Sequence, residues 1–236
     1  MPFCPQCGKE VSETDRFCPN CGAQLVGKEE RVPPEAVGAI PKTGATEALN
    51  KGVSIISAQP TVLVPALLGA VISAVLSSIA SGIIGPFGWL LLMFIGGLIA
   101  YILNFASLDM SRDAYLNQEL NLSKSINYVL KRLLTFIVAS IVGAILGITI
   151  ILIPVVFLMF VIIIVDETGI GDAISKALKV LGDRLADIII LVIVAIVGGV
   201  LGLIPYIGSI LAAVIGVLVG LAFIDVYFNY KKTKPY

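Results

Sequence analysis

The sequence predicts an all-α integral membrane bundle: six transmembrane helices as three hairpins, each preceded by an interfacial amphipathic helix, behind a small cysteine-rich module. Three observations predict it. Hydrophobic residues make up 58% of 236, and the mean hydropathy of +1.01 lies far above that of a soluble domain. Residues 52–108, 134–165 and 188–224 contain no Asp, Glu, Lys or Arg, and each exceeds the roughly 20 apolar residues one crossing needs. All four cysteines fall within the first 21 residues.

At the N-terminus, Cys4-Pro5-Gln6-Cys7-Gly8 is followed by Cys18-Pro19-Asn20-Cys21-Gly22. Two Cys-x-x-Cys pairs, with ten residues between them, put four thiolates on two knuckles able to converge tetrahedrally on one zinc. A disulfide framework is the alternative, and nothing suggests that this end is secreted. The chain has no histidine, so the metal site is all-cysteine. Such a site is closed and structural, with no open position for water chemistry.

The segment from Phe3 to Gly22 closely resembles the short zinc-ribbon modules at the N-termini of many prokaryotic proteins, membrane proteins included. The resemblance implies two zinc knuckles on small hairpins, with Phe3 and Phe17 covering the metal. A module of residues 1–25 buries too little apolar surface to fold alone, so the metal supplies its folding free energy. Nucleic acid is not expected as a partner. Lys9 and Arg16 face Glu10, Glu13 and Asp15, a zinc with four thiolates adds a formal charge of about −2, and phosphate backbones need a positive footprint.

Residues 26–46, with Lys28, Glu29, Glu30, Arg31, Pro33, Pro34, Pro41 and Gly44, read as a semi-flexible linker with little to bury. No cleavable signal peptide is expected, because no apolar segment opens the chain.

The membrane domain is expected over 47–230, with a basic cytosolic tail at 231–236. Each uncharged stretch has a breaker near its middle: Gly82, Gly85-Pro86 and Gly88, then Pro154, then Pro205 with Gly208. Proline removes a helix hydrogen bond and suits the first turn of a new helix. The expected crossings are therefore 60–82, 88–110, 132–150, 154–168, 185–203 and 207–229. The second hairpin is short for two full spans unless Lys131 and Arg132 snorkel, and a re-entrant pair is the alternative.

All sixteen Lys and Arg lie in the first 51 residues, in 112–132, in 176–184 or at 231–234, and none at the hairpin tips. The positive-inside rule then places both termini in the cytoplasm of a multi-pass plasma-membrane protein. Reduced thiols on that side agree with a zinc site.

Segments 47–57, 123–133 and 172–184 share helical apolar spacing with a polar opposite face: Leu49, Val53 and Ile56; Ile126, Val129 and Leu133; Ile174, Leu178 and Leu181. Each reads as an interfacial amphipathic helix before a hairpin, with Ser123 and Asp172 as N-caps of the second and third. Asp109, Asp166 and Asp225 close the three units, giving an internal threefold repeat. Carboxylates near helix C-termini oppose the macrodipole, and structural ion pairs with Lys51, Lys124 or Lys176 would offset this. Solvated end residues are the alternative. Small residues recur every fourth position at Gly69, Ser73, Ser77 and Ser81, at Ala139, Gly143 and Gly147, and at Ala212, Gly216 and Gly220. Such faces let helix backbones approach closely.

The pattern from Glu47 through Gly52 to Pro60, Pro65 and Leu67, with Asp172 to Leu178 later, resembles uncharacterised prokaryotic six-helix membrane proteins. These are akin to the membrane domain attached to some glycerophosphodiester phosphodiesterases. The similarity would cover 45–230. The phosphodiesterase barrel is absent, so that activity does not carry over.

With a saturated zinc, no histidine, and neither a nucleophile elbow nor a phosphate loop, the expectation is not an enzyme. No charge lies at mid-membrane depth, where an energised transporter usually carries one. The reading is a non-enzymatic integral membrane protein displaying a zinc-stabilised cytosolic module for protein docking or membrane assembly. A facilitative channel or transporter for a lipid or small solute is the alternative. The expected partners are the lipid bilayer, a cytosolic protein at the ribbon, and further copies of the chain.

Overall fold

The structure, a computed structural model, describes residues 44–83, 86–204 and 207–234, together with Glu10 and Asn20. The chain divides into two units, Met1–Pro41 and Lys42–Tyr236, and the described helices all belong to the second.

These are α1 (Ala45–Ala58), α2 (Val64–Ile83), α3 (Pro86–Tyr115), α4 (Leu122–Lys131), α5 (Leu133–Gly147), α6 (Ile153–Val165), α7 (Ile170–Asp183), α8 (Leu185–Leu201) and α9 (Gly208–Thr233). Short 3₁₀ turns, Pro60–Leu63 and Ile150–Leu152, lead into α2 and α6.

Three times a shorter helix bends sharply into an apolar one. The angles are 104° between α1 and α2, 72° between α4 and α5, and 107° between α7 and α8. Each break has a local cause. Pro60 opens the first new turn without an N–H, while Arg132 (φ −110°, ψ 16°) and Arg184 (φ −130°, ψ 30°) leave helical geometry.

Two expected caps differ. Asn121 caps α4, its Oδ1 accepting from the Lys124 N–H at 3.1 Å, so Ser123 lies inside the helix. Gly169 takes the N-cap position of α7, leaving Asp172 in the first turn, where a carboxylate favours the dipole.

By length and composition α3 and α9 each suffice to cross a bilayer. At about 1.5 Å per residue their 30 and 26 residues reach beyond the roughly 30 Å hydrocarbon core. The bent pairs meet the same test only when each is taken as one span. In the second hairpin α5 has 15 residues and α6 has 13, both shorter than a full crossing. Two helices also outrun their expected ends: α3 continues past 110 to Tyr115, and α9 continues to Thr233, which puts Lys231 and Lys232 in its last turn.

The core sits on α6 and α9. Eight residues of α6 are buried, among them Leu158, Met159, Ile162 and Ile163. Along α9 the run from Leu221 to Tyr227 is buried without a break, and α1, α2, α3, α6 and α8 all pack on this helix. Elsewhere the arrangement is inverted. Ile148, Ile150, Ile151 and Leu203 are about 80% exposed, whereas Asp109, Asp113 and Asp225 are 1% exposed. Apolar side chains outside and carboxyl groups inside suit hydrocarbon, not water.

Small residues explain two of the close helix contacts. A Cβ on Gly143 would stand 3.0 Å from the Val156 Cγ1 and one on Gly198 2.5 Å from the Ile215 Cγ2, whereas one on Gly69 would make only ordinary contact, 3.6 Å from the Leu103 Cβ. Gly216 differs: a Cβ there would meet no atom within 4 Å.

Candidate functional site

The carboxylates at the C-terminal ends of α3, α6 and α9 meet cations from α1, α3, α4, α7 and α9. Asp225 accepts from Lys51 Nζ and from Tyr115 Oη, each at 2.8 Å, and from Asn229 Nδ2 at 2.9 Å. Lys51 also donates to Tyr115 Oη at 2.7 Å, and the Tyr115 ring stacks on Phe228 at 5.0 Å. This single contact set ties α1, α3 and α9 together.

Asp166, just past α6, has three donors: Lys176 at 2.5 Å, Lys231 at 2.8 Å and Tyr227 Oη at 2.6 Å. Burial opposes its ionisation, but the hydrogen bonds from Lys176, Lys231 and Tyr227 outweigh burial and hold the carboxyl below its ordinary value.

Lys124 does not meet Asp109. It reaches Asp113, one turn further along α3, at 3.2 Å. The extension of α3 to Tyr115 creates this arrangement, because it carries Asp113 to the level of α4. Asp109 takes an ion contact of 2.8 Å with Arg112, which also bonds Asp113 at 2.8 Å. Neither Asp109 oxygen has a well-aligned hydrogen bond among the described residues, but the buried Ser125 hydroxyl lies beside it and interacts with it.

Sequence reasoning missed Arg112, Asp113, Tyr115, Tyr227, Asn229 and Lys231. The Asp109, Arg112 and Asp113 spacing, i, i+3 and i+4, was the available signal. Also missed were two arginines that close the C-terminus of α6. Arg112 Nη1 donates to the Ile164 carbonyl at 2.9 Å, and Arg132 donates to the carbonyls of Ile163, Glu167 and Thr168 at 3.0 to 3.3 Å. These satisfy carbonyls that a helix end leaves without partners. They also hold Glu167 in the left-handed region, at φ 53°, a conformation that costs about 1–3 kcal/mol outside glycine.

A second feature is a cavity of about 390 Å³ bounded by α3, α6, α8 and α9, with Ala66 of α2 at its edge. No Asp, Glu, Lys or Arg lines it. Its polar side chains, Asn104, Ser107 and Ser111, form one stripe along α3, opposite glycines of α8 and α9. Asn104 gives one N–H to the Ala100 carbonyl at 2.9 Å, and Ser111 bonds the Ser107 carbonyl at 2.8 Å.

Cys4, Cys7, Cys18 and Cys21 lie outside the described residues. Their donor chemistry fits zinc: four thiolates in two Cys-x-x-Cys pairs, the full complement of a closed tetrahedral site. Among the described residues no cluster of His, Cys, Asp and Glu is arranged to hold a metal.

Residues 3–25 match a family model described as a zinc-ribbon domain. Neither among curated proteins nor among solved structures does any match the chain.

Proposed function

We propose that this is a non-enzymatic, six-crossing membrane protein whose zinc ribbon, held on the cytoplasmic side, docks a soluble protein partner. The observation that carries the reading is the zinc-ribbon match at residues 3–25 in a chain that also holds apolar helices of membrane-spanning length. Ribbons of this size are closed by their metal, so the surface they offer serves recognition, not catalysis. In the helical unit the carboxylates of α3, α6 and α9 are engaged with cations and hydroxyls. Engagement of this kind fixes helices and supplies no free base or nucleophile. The threefold order of short helix, sharp bend and apolar helix, with a return helix after it, supports an internal repeat and an interfacial position for α1, α4 and α7.

The test is affinity purification from native membranes of full-length protein, of protein lacking residues 1–25, and of Cys18→Ser. A soluble partner retained only by the full-length protein is the expected result. Identical co-purifying sets would overturn the docking role. Single cysteines at 152 and 179, in the background lacking residues 1–25, test orientation in intact cells. Position 152 should react with an impermeant thiol reagent and position 179 should not.

A further inference from the structure

The ladder of small residues on α9 has no packing partner at its centre. Gly216 and Gly199 are exposed, and a Cβ on either would meet no atom within 4 Å. Both line the cavity described above. Its α9 wall runs from Ala212 to Phe223, about 16 Å of helix at 1.5 Å per residue. The lining is apolar except for the α3 stripe, and uncharged throughout. An apolar void of about 390 Å³ forfeits dispersion contacts along its walls, and in a bilayer hydrocarbon chains are the material at hand to fill it.

The polar stripe adds a chemical requirement. Ser107 lines the cavity at 5% exposure, and its hydroxyl makes no hydrogen bond among the described residues. Asn104 keeps a second N–H and its Oδ1 after bonding Ala100. The Ser107 hydroxyl opens on the cavity, and the two groups together suit a neutral carbonyl acceptor. A carboxylate or phosphate would find no cation on these walls.

We propose that this cavity binds the glycerol-ester end of an acyl lipid, with the chain along Gly199, Gly216 and Gly220 and the ester carbonyl at Ser107 and Asn104. The inference rests on the chain spanning a bilayer and is independent of what the ribbon docks.

Full-length protein in proteoliposomes, incubated with a diazirine-bearing monoolein and irradiated, tests this. The expected labels fall on peptides containing Asn104–Ser111 and Gly216–Phe223. Unlabelled monoolein or dioleoylphosphatidylglycerol should compete, and the stronger of the two identifies the source of the ester. Gly216→Leu, whose Cβ would meet no atom within 4 Å, projects into the cavity and should abolish the labelling, with Gly199→Leu as a second filler. Ser107→Ala should weaken binding about fivefold, the loss of one neutral hydrogen bond. Labelling of either filled variant at the wild-type level would overturn the proposal. Equal competition by octadecane would overturn the role of the ester. Flotation with the vesicles separates the two failures: protein that floats but takes no label refutes the cavity and leaves the membrane reading intact.

Discussion

Residues 3–25, which match a zinc ribbon, are expected to concentrate their stability in four sulfurs, whereas the helical unit spreads its own over two buried helices and a set of ion pairs. A module of this length buries too little apolar surface to fold without its metal, so losing one thiolate is expected to lose the fold. In the helical unit, Asp225 shares its charge among Lys51, Tyr115 and Asn229, while α6 and α9 are joined separately by a shared apolar core. The difference teaches where substitutions should act as switches and where they should act by degrees.

The largest expected effect is therefore at the ribbon. Cys18→Ser should lower bound zinc from one equivalent to near zero by metal analysis of full-length protein. Structural zinc contributes on the order of 10–16 kcal/mol to such modules, so the ribbon should become protease-sensitive. Thermal unfolding of the helical unit in detergent should not move. Stoichiometric zinc in this variant would break the comparison at its first term.

A graded effect is expected at Asp225. Replacing it with Ala leaves Tyr115 Oη and Asn229 Nδ2 without their acceptor, while Lys51, 44% exposed, can turn to water. Breaking a buried pair costs 3–5 kcal/mol when both charges are enclosed. With one partner half exposed, about 2–3 kcal/mol is expected, measured by denaturation in micelles. Lys51→Ala should cost at least as much, about 3 kcal/mol, because it leaves a carboxylate only 1% exposed with two neutral donors and no counter-charge. A loss near 1 kcal/mol in Lys51→Ala would mean that the two neutral donors, Tyr115 and Asn229, suffice for the buried carboxylate.

These two regions also differ in how far the sequence exposes them. The ribbon is legible because its chemistry lies in local spacing: Cys4 and Cys7, then Cys18 and Cys21. The order of helices is legible for the same reason, since breakers such as Pro86 and Pro154 act on their own turn. What the sequence hides is register between distant elements. Lys124 meets Asp113 and not Asp109 because α3 runs five residues past its expected end. Nothing near Arg132 indicates that it closes the end of α6, 31 to 36 residues away. The cap of α4 was misplaced because Asn121 and Ser123 are both good caps, and the choice rests on which one the chain entering α4 can extend.

The smallest expected effect is the acid limb contributed by Asp166. Its carboxyl titrates below the ordinary value of 3.8, held down by Lys176, Lys231 and Tyr227 against the opposing effect of burial. A depressed folded-state value means that the unfolded chain takes up the proton first as pH falls. The stabilisation is therefore complete above about pH 5, begins to fade near 3.8 and is gone below the folded value. Asp166→Asn should lower stability at pH 7 while flattening this limb, so that the two proteins converge as the pH falls below the folded value. Lys176 and Lys231 are 23% and 38% exposed, so salt should shrink the difference. An acid limb unchanged in Asp166→Asn would assign the acid sensitivity to other carboxylates, and Asp166 would then count only as a neutral hydrogen-bond acceptor for Tyr227.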